Sequence, residues 1–138
     1  MRLTRRKAII AGAGAFAAIG MPLRLFAAAE DEIAAFTGGA DIVEGGVTLT
    51  APEIAENGNT VPIEVAAEGA AEIMVLALGN PVPPVATFKF GPLAGSRAAS
   101  TRIRLAQTQD VVAIARMEDG TFHRATATIK VTIGGCGG

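Results

Sequence analysis

The sequence predicts an all-β fold, a two-sheet antiparallel sandwich of about seven strands. Three observations support this prediction. Apolar and polar residues alternate in several short runs, and turns rich in Gly, Pro and Asn separate these runs. The pair Asp119–Gly120 lies between the last two runs, as in a tight hairpin. The strand number and spacing are typical of an immunoglobulin-like domain, although the chain has no Trp, no Tyr and only one Cys.

The first strands differ in how much of them should be buried. Two runs, GVTLTAPEI and VPIEVAA, alternate, and their inward positions are Val47, Leu49, Ala51, Val61, Ile63 and Val65. The next run, EIMVLAL at residues 72–78, is almost continuously apolar, which indicates a strand covered on both faces. If that strand is instead exposed, Ile73, Val75 and Leu78 are candidates for a partner interface.

The remaining elements complete the sandwich. The runs VATFKF, STRIRL and DVVAIAR follow as strands, and TFHRATATIKVTI is the longest. The inward positions of this last strand are Ala125, Ala127, Ile129, Val131 and Ile133. Ahead of all strands, EDEIAAFTGG predicts a short helix that begins near Glu30 and ends at Gly38 and Gly39.

The first 29 residues resemble an export signal. Four of the first seven residues are basic, an apolar run follows at residues 8–23, and Ala27 and Ala29 supply a small-x-small cleavage pattern. The adjacent pair Arg5–Arg6 favours twin-arginine export over an ordinary secretory signal, and either route predicts a periplasmic protein. We therefore expect a signal peptide at 1–29, a sandwich domain at 30–133 and a C-terminal arm at 134–138.

Removal of this signal makes the chain acidic. It takes away five of the 12 basic residues and none of the 13 acidic ones, so the formal charge falls to about −6. An acidic domain is a poor partner for nucleic acid, and the mature chain is predicted to have no membrane segment.

The arm, GGCGG, carries the only cysteine. Glycine has nothing to pack and loses the most entropy on ordering, so Gly134, Gly135, Gly137 and Gly138 should form a mobile support for Cys136. No His or Arg neighbours the thiol in sequence, so the chain does not activate it. The pattern predicts a thiol that is presented to other proteins. We predict no catalytic residue in the chain. Two alternatives are a structural or adhesive sandwich cross-linked through Cys136 and a ubiquitin-like carrier that uses its terminal carboxylate, which the leader disfavours.

We predict structural roles for the other notable polar residues. His123 has no nearby Cys, Asp or Glu pattern typical of metal ligands, so we interpret it as a structural residue at the end of a strand rather than a metal ligand. Arg102 and Arg104 share one strand face with Arg97 nearby, which favours a solvated face or a partner interface over an anion site. We predict no cofactor and no metal.

Several segments resemble the SoxY family of sulfur carriers. They are TIGGCGG (132–138), PEIAENGNTVPIEV (52–65), NPVPPVATFKFGPLAG (80–95) and STRIRLAQTQDVVAIARMEDG (100–120), together with the leader. The resemblance implies that Cys136 is loaded with thiosulfate by a haem enzyme, SoxXA, to give an S-thiosulfonate. It further implies a manganese hydrolase, SoxB, that removes sulfate, a sulfane dehydrogenase, SoxCD, and a smaller β-partner, SoxZ, that forms a heterodimer with the carrier.

Overall fold

The computed structural model describes residues 22–134. Within this range the chain forms one helix and nine strands. They are α1 (Pro22–Thr37), β1 (Ile42–Glu44), β2 (Thr48–Thr50), β3 (Ile54–Ala55), β4 (Val61–Ala66), β5 (Ala70–Ala77), β6 (Pro84–Lys89), β7 (Ala98–Ile103), β8 (Gln109–Met117) and β9 (Phe122–Val131). The start of the predicted signal peptide, at 1–21, and Gly135, Cys136, Gly137 and Gly138 of the predicted arm lie outside the described residues.

The strands form two sheets, as predicted. The larger sheet has the order β1-β9-β8-β5-β6, with β3 also paired to β9, and the smaller sheet has the order β2-β4-β7. Most neighbours are antiparallel, but β1 and β3 both pair with β9 in parallel. These two strands raise the count from about seven to nine. They were not predicted because runs of two and three residues are too short to show alternation.

The main core lies between the two sheets. Val61, Ile63 and Val65 of β4 face Ile73 and Val75 of β5, and all five are buried, which confirms the alternation of β4. The hypothesis that Ile73 and Val75 form a partner interface is therefore wrong, because both side chains are fully enclosed within the sandwich.

A second apolar layer covers the outer face of the larger sheet. Met74, Leu76 and Ile114 pack there with partly buried Ile33 and Phe36 of α1, so β5 is covered on both faces, as predicted. Leu78, the third interface candidate, is also partly buried in this layer. The rings of Phe36 and Phe122 meet edge to face, with centroids 5.8 Å apart and planes at 71°.

Helix α1 begins earlier than predicted. It starts at Pro22 rather than near Glu30, because the apolar end of the predicted signal continues the helical stretch. Proline suits a first helical position, where its missing N–H has no partner to lose. The helix ends as predicted at Gly38 and Gly39, whose φ angles of 65° and 83° lie in the left-handed region that favours glycine. The cleavage position after Ala29 lies inside the helix and stays a prediction.

Loops 67–69, 91–97 and 118–121 form one end of the sandwich. We call it the far end, because it lies opposite the end at which the chain leaves β9. Arg97 links these loops, because its guanidinium donates to Glu118 Oε1 at 2.9 Å and to the carbonyl oxygen of Ala70 at 3.2 Å. Arg97 therefore has a structural role, because it holds these loops together.

The hairpin at the far end is stabilised by Thr121. The Thr121 hydroxyl and the Thr121 amide both donate hydrogen bonds to the Asp119 carboxylate, and these bonds lower the pKa of that carboxyl. Leu93 is 99% exposed on the same end.

The single histidine lies beside this hairpin, and its contacts indicate a structural role. His123 Nδ1 is 3.1 Å from the carbonyl oxygen of Gly45, and Nε2 is 3.3 Å from Thr121 Oγ1. A Cβ on Gly46 would lie 2.6 Å from the His123 ring, so the imidazole fills the space that this glycine leaves. Among residues 22–134 no group of three His, Cys, Asp or Glu side chains could hold a metal ion.

Candidate functional site

The candidate site is the end of the sandwich opposite the far end, where the chain leaves β9. Thr132 N donates to the carbonyl oxygen of Ala55 at 3.0 Å, and Thr132 Oγ1 donates to that of Glu56 at 3.0 Å. The carbonyl oxygen of Ile133 accepts from Gly58 N at 2.7 Å. These bonds hold the chain in place up to residue 133. We call the surface formed by residues 57–59, 78–83, 104–108 and 132–134 the arm end.

Ile133 does not face inward as predicted. Its side chain is 68% exposed, because β9 ends at Val131 and the chain bends at the next two residues. The alternation of β9 therefore stops two residues before the apolar pattern does, and Ile133 belongs to the surface of the arm end.

The turn at residues 57–59, within PEIAENGNTVPIEV, bonds to two other segments of the arm end. Buried Gly58 donates to Ile133 through its N–H, and its carbonyl oxygen accepts from Leu105 N at 2.8 Å. Asn57 shapes this turn, since its Oδ1 accepts from Asn59 N at 3.0 Å. The turn thus connects the last residues before the arm with the loop at 104–108.

Gly134 packs against this same loop. A Cβ placed on Gly134 would lie 2.3 Å from the carbonyl oxygen of Ala106, closer than a real Cβ contact allows. This contact gives Gly134 a packing role in addition to the role in the arm that the sequence predicts. Cys136 follows two residues later, so its Cα lies within about 7 Å of Gly134 Cα.

A buried amide pair holds the loop that Gly134 contacts. Asn80 Nδ2 donates to the carbonyl oxygen of Arg104 at 2.8 Å, and Asn80 Oδ1 accepts from Ala106 N at 2.9 Å. Gln109 Nε2 donates to the same Oδ1 at 2.9 Å, and Gln109 Oε1 accepts from Gly79 N at 2.9 Å. Every amide atom of this pair has a partner, which is the condition for burying it without a large penalty.

Sequence reasoning missed this amide pair. Asn80 lies in GNPVPP, where an asparagine is also the expected turn residue, and Gln109 lies at the start of a strand. The one available signal is that both residues border almost continuously apolar strands, where polar groups are usually buried with partners.

The arginine residues do not form one patch. Arg102 and Arg104 are exposed, and Arg102 Nη1 is 3.4 Å from Thr60 Oγ1, whereas Arg97 lies at the far end. A shallow groove of about 600 Å³ lies on the outer face of the smaller sheet, lined in part by Pro62, Ser100 and Arg102. The described part of the chain contains no helix with the length and apolar character needed to cross a membrane.

The fit of Gly134 leads to a testable expectation. In a Gly134→Ala variant, the new methyl group should push the chain away from Ala106 and break the adjacent bond from Gly58 N to Ile133. We expect the Gly58 amide to exchange its hydrogen about tenfold faster, as measured by NMR. Gly91→Ala is the matched control, because a Cβ there meets nothing within 4 Å. Equal Gly58 exchange in the two variants would contradict the packing role.

The architecture defines the class of the protein: an immunoglobulin-like β-sandwich that anchors the exit of its C-terminal segment at one end. The comparisons then define the family. The family model of the sulfur oxidation protein SoxY matches residues 33–136, and the chain belongs to this family.

Solved structures agree with this assignment. The chain is similar to the sulfur carrier protein SoxY from Chlorobium limicola f thiosulfatophilum, with 37% identity, a TM-score of 0.68, and coverage of 78% of this chain and 98% of that one. It is also similar to the superoxide reductase (neelaredoxin) of Ignicoccus hospitalis, with 18% identity, a TM-score of 0.55, and coverage of 63% and 80%. This second likeness shows the fold alone. No curated protein matches the chain significantly.

Proposed function

We propose that this chain is a covalent carrier of sulfur intermediates in thiosulfate oxidation, with Cys136 as the attachment site. The observation that carries the proposal is membership in the SoxY family over residues 33–136, a range that includes Cys136. The similar Chlorobium protein is a sulfur carrier. The anchored geometry of Ile133 and Gly134 supports the proposal, because it places the attachment point of the GGCGG segment at a defined position on the body.

Two reactions act on the carrier: the first attaches thiosulfate to Cys136, and the second removes sulfate from the attached group. In the first, the Cys136 sulfur bonds to the outer sulfur of thiosulfate, and one proton and two electrons leave. A SoxXA-like haem enzyme takes up these electrons. In the second, water cleaves the bond between the outer sulfur and the sulfonate, so that sulfate and one proton leave and a persulfide remains on Cys136. A SoxB-like manganese hydrolase catalyses this step, and a SoxCD-like dehydrogenase oxidises the remaining sulfur where it is present.

The chain itself supplies a thiol, a support and no catalyst or cofactor. Gly135, Gly137 and Gly138 have no side chains, so the segment around Cys136 can enter a narrow channel that a larger residue would block. The sandwich domain, 30–133, pairs with a SoxZ-like subunit. The signal at 1–29 directs export to the periplasm, and the twin-arginine route fits because it moves folded proteins and can carry a preformed pair.

The proposal is tested by the intact mass of the protein purified without reductant from cells that consume thiosulfate. We expect adducts that map to Cys136, with masses of added sulfur, thiosulfonate or sulfonate, and we expect thiol reduction to remove those held by an S–S bond. A free thiol alone, or a disulfide homodimer alone, would contradict the carrier role. The homodimer result would favour the alternative, an exported structural or adhesive sandwich cross-linked through Cys136.

A further inference from the structure

We propose that the arm end is the docking surface for the enzyme that loads Cys136, and that Val82 and Ile133 are its main apolar contacts. This inference rests on the proposed function and adds the surface through which it operates. The occupant is one protein of defined chemistry, an enzyme that bonds the outer sulfur of thiosulfate to a cysteine thiol.

The short distance from Gly134 to Cys136 requires such a contact. Only Gly135 separates them, so Cys136 Cα lies within about 7 Å of Gly134 Cα, and the side chain brings the sulfur to at most about 10 Å. The chain before Gly134 cannot lengthen this reach while the bond from Gly58 N to the carbonyl oxygen of Ile133, at 2.7 Å, is intact. An enzyme that brings its reacting atoms to this sulfur must therefore place its own surface against the arm end.

The arm end has apolar side chains suited to this contact. Val82 is 65% exposed in the loop between β5 and β6, two residues after Asn80, and Ile133 is 68% exposed beside the exit of the chain. Single exposed apolar residues are ordinary, but these two lie on loops that are bonded to the same 104–106 segment, and we call the two side chains together the apolar patch. Exposed Arg104 lies on the same segment and provides a charged rim.

The patch is also held rigid before any partner arrives. Asn80 bonds to both Arg104 and Ala106, and Gly58 bonds to both Leu105 and Ile133. The two loops that carry Val82 and Ile133 are thus tied to one common segment. A preorganised surface loses little conformational entropy on docking, so a small patch can contribute useful affinity.

Three single variants of the full chain test this inference. Val82→Ser and Ile133→Ser remove the proposed contacts, and Leu93→Ser is the matched control, since Leu93 is 99% exposed but lies at the far end. Each variant, purified with any subunit that accompanies it, is added to thiosulfate and a cell extract. The extract comes from cells that lack this chain and that were grown on another energy source in the presence of thiosulfate. The rate of loading is measured by intact mass over a range of carrier concentrations. The rate of Cys136 alkylation by iodoacetamide is measured in parallel.

We expect Val82→Ser and Ile133→Ser each to raise the KM for the carrier about five- to tenfold with kcat little changed, since docking and not chemistry is impaired. Alkylation should be unchanged in all three variants, and Leu93→Ser should load like the unaltered chain. Equal loading of all variants would overturn the docking surface but leave the carrier role intact. Loss of an accompanying subunit from Ile133→Ser would identify that subunit as the occupant and overturn the inference. Absence of loading on the unaltered chain would overturn both proposals.

Discussion

A Cys136→Ser chain should acquire no thiosulfate-dependent adduct and should not support sulfate formation. The hydroxyl cannot form the S–S bond on which loading depends, and the sequence contains no second cysteine to replace it. We expect loading to fall by more than about 100-fold, to the detection limit of intact mass measurement. A thiosulfate adduct on the serine chain would show that attachment occurs elsewhere, and would also revive the carrier that uses its terminal carboxylate.

A relocated thiol makes this test specific. The double variant Cys136→Ser, Leu93→Cys places one fully accessible thiol at the far end, since residue 93 is 99% exposed. Iodoacetamide should alkylate this thiol readily, whereas the loading enzyme should not act on it. If the relocated thiol is loaded as fast as Cys136, the position of the thiol at the arm end is irrelevant and the reaction follows simple thiol reactivity.

An Asn80→Ala chain should be less stable by about 2–4 kcal/mol. The side chain is only 3% exposed and makes three hydrogen bonds, so its loss leaves the Arg104 carbonyl, the Ala106 amide and the Gln109 side chain without a shared partner. Partial access of water to the neighbouring loop limits the loss to this range. Urea unfolding followed by circular dichroism measures it.

Asn57→Ala is the control for this stability change. Asn57 is also a turn asparagine with a side-chain bond, to Asn59 N at 3.0 Å, but it is exposed. We expect its replacement to cost less than about 1 kcal/mol. If the two variants lose similar stability, the buried amide pair does not hold the arm end together.

The periodic parts of the fold were predictable from local pattern. The alternation of β4 identified Val61, Ile63 and Val65 as core residues, because a strand with one buried face repeats every two residues. The continuous apolar run of β5 identified a strand buried on both faces, although the pattern alone could not distinguish this from an exposed interface. The Asp119–Gly120 pair identified the hairpin between β8 and β9, where Gly120 has a φ of 86°.

The parts that depend on distant contacts were not predictable. Strands β1 and β3 exist because β9 offers them an edge, and a segment of two or three residues has no pattern of its own. The start of α1 was hidden because the apolar end of a signal peptide and the beginning of a helix have the same composition. Ile133 was assigned to the core because β9 ends before its apolar pattern does.

The candidate site divides in the same way. Cys136 and its glycines were predicted from composition alone, because a single thiol between two glycine pairs is an unusual pattern, and Cys136 stays a prediction since it lies outside the described residues. The environment of the chain exit was not evident, because it joins residues far apart in sequence. The bond from Gln109 to Asn80 spans 29 residues, and the bond from Thr132 to Glu56 spans 76. Such pairs leave no local periodicity from which they could be inferred.

The position of β9 has a consequence for how the protein is made. This strand lies inside the larger sheet, next to β8 on one side and to β1 and β3 on the other, yet it is the last of the described strands to be synthesised. Ile42 of β1 can form its strand pairing only after Phe122 of β9 has been synthesised. Pairings between such distant residues form slowly, and the sheet cannot close on the ribosome until β9 has emerged. Closure of the larger sheet is therefore expected to be a late step in folding, after β9 has been translated.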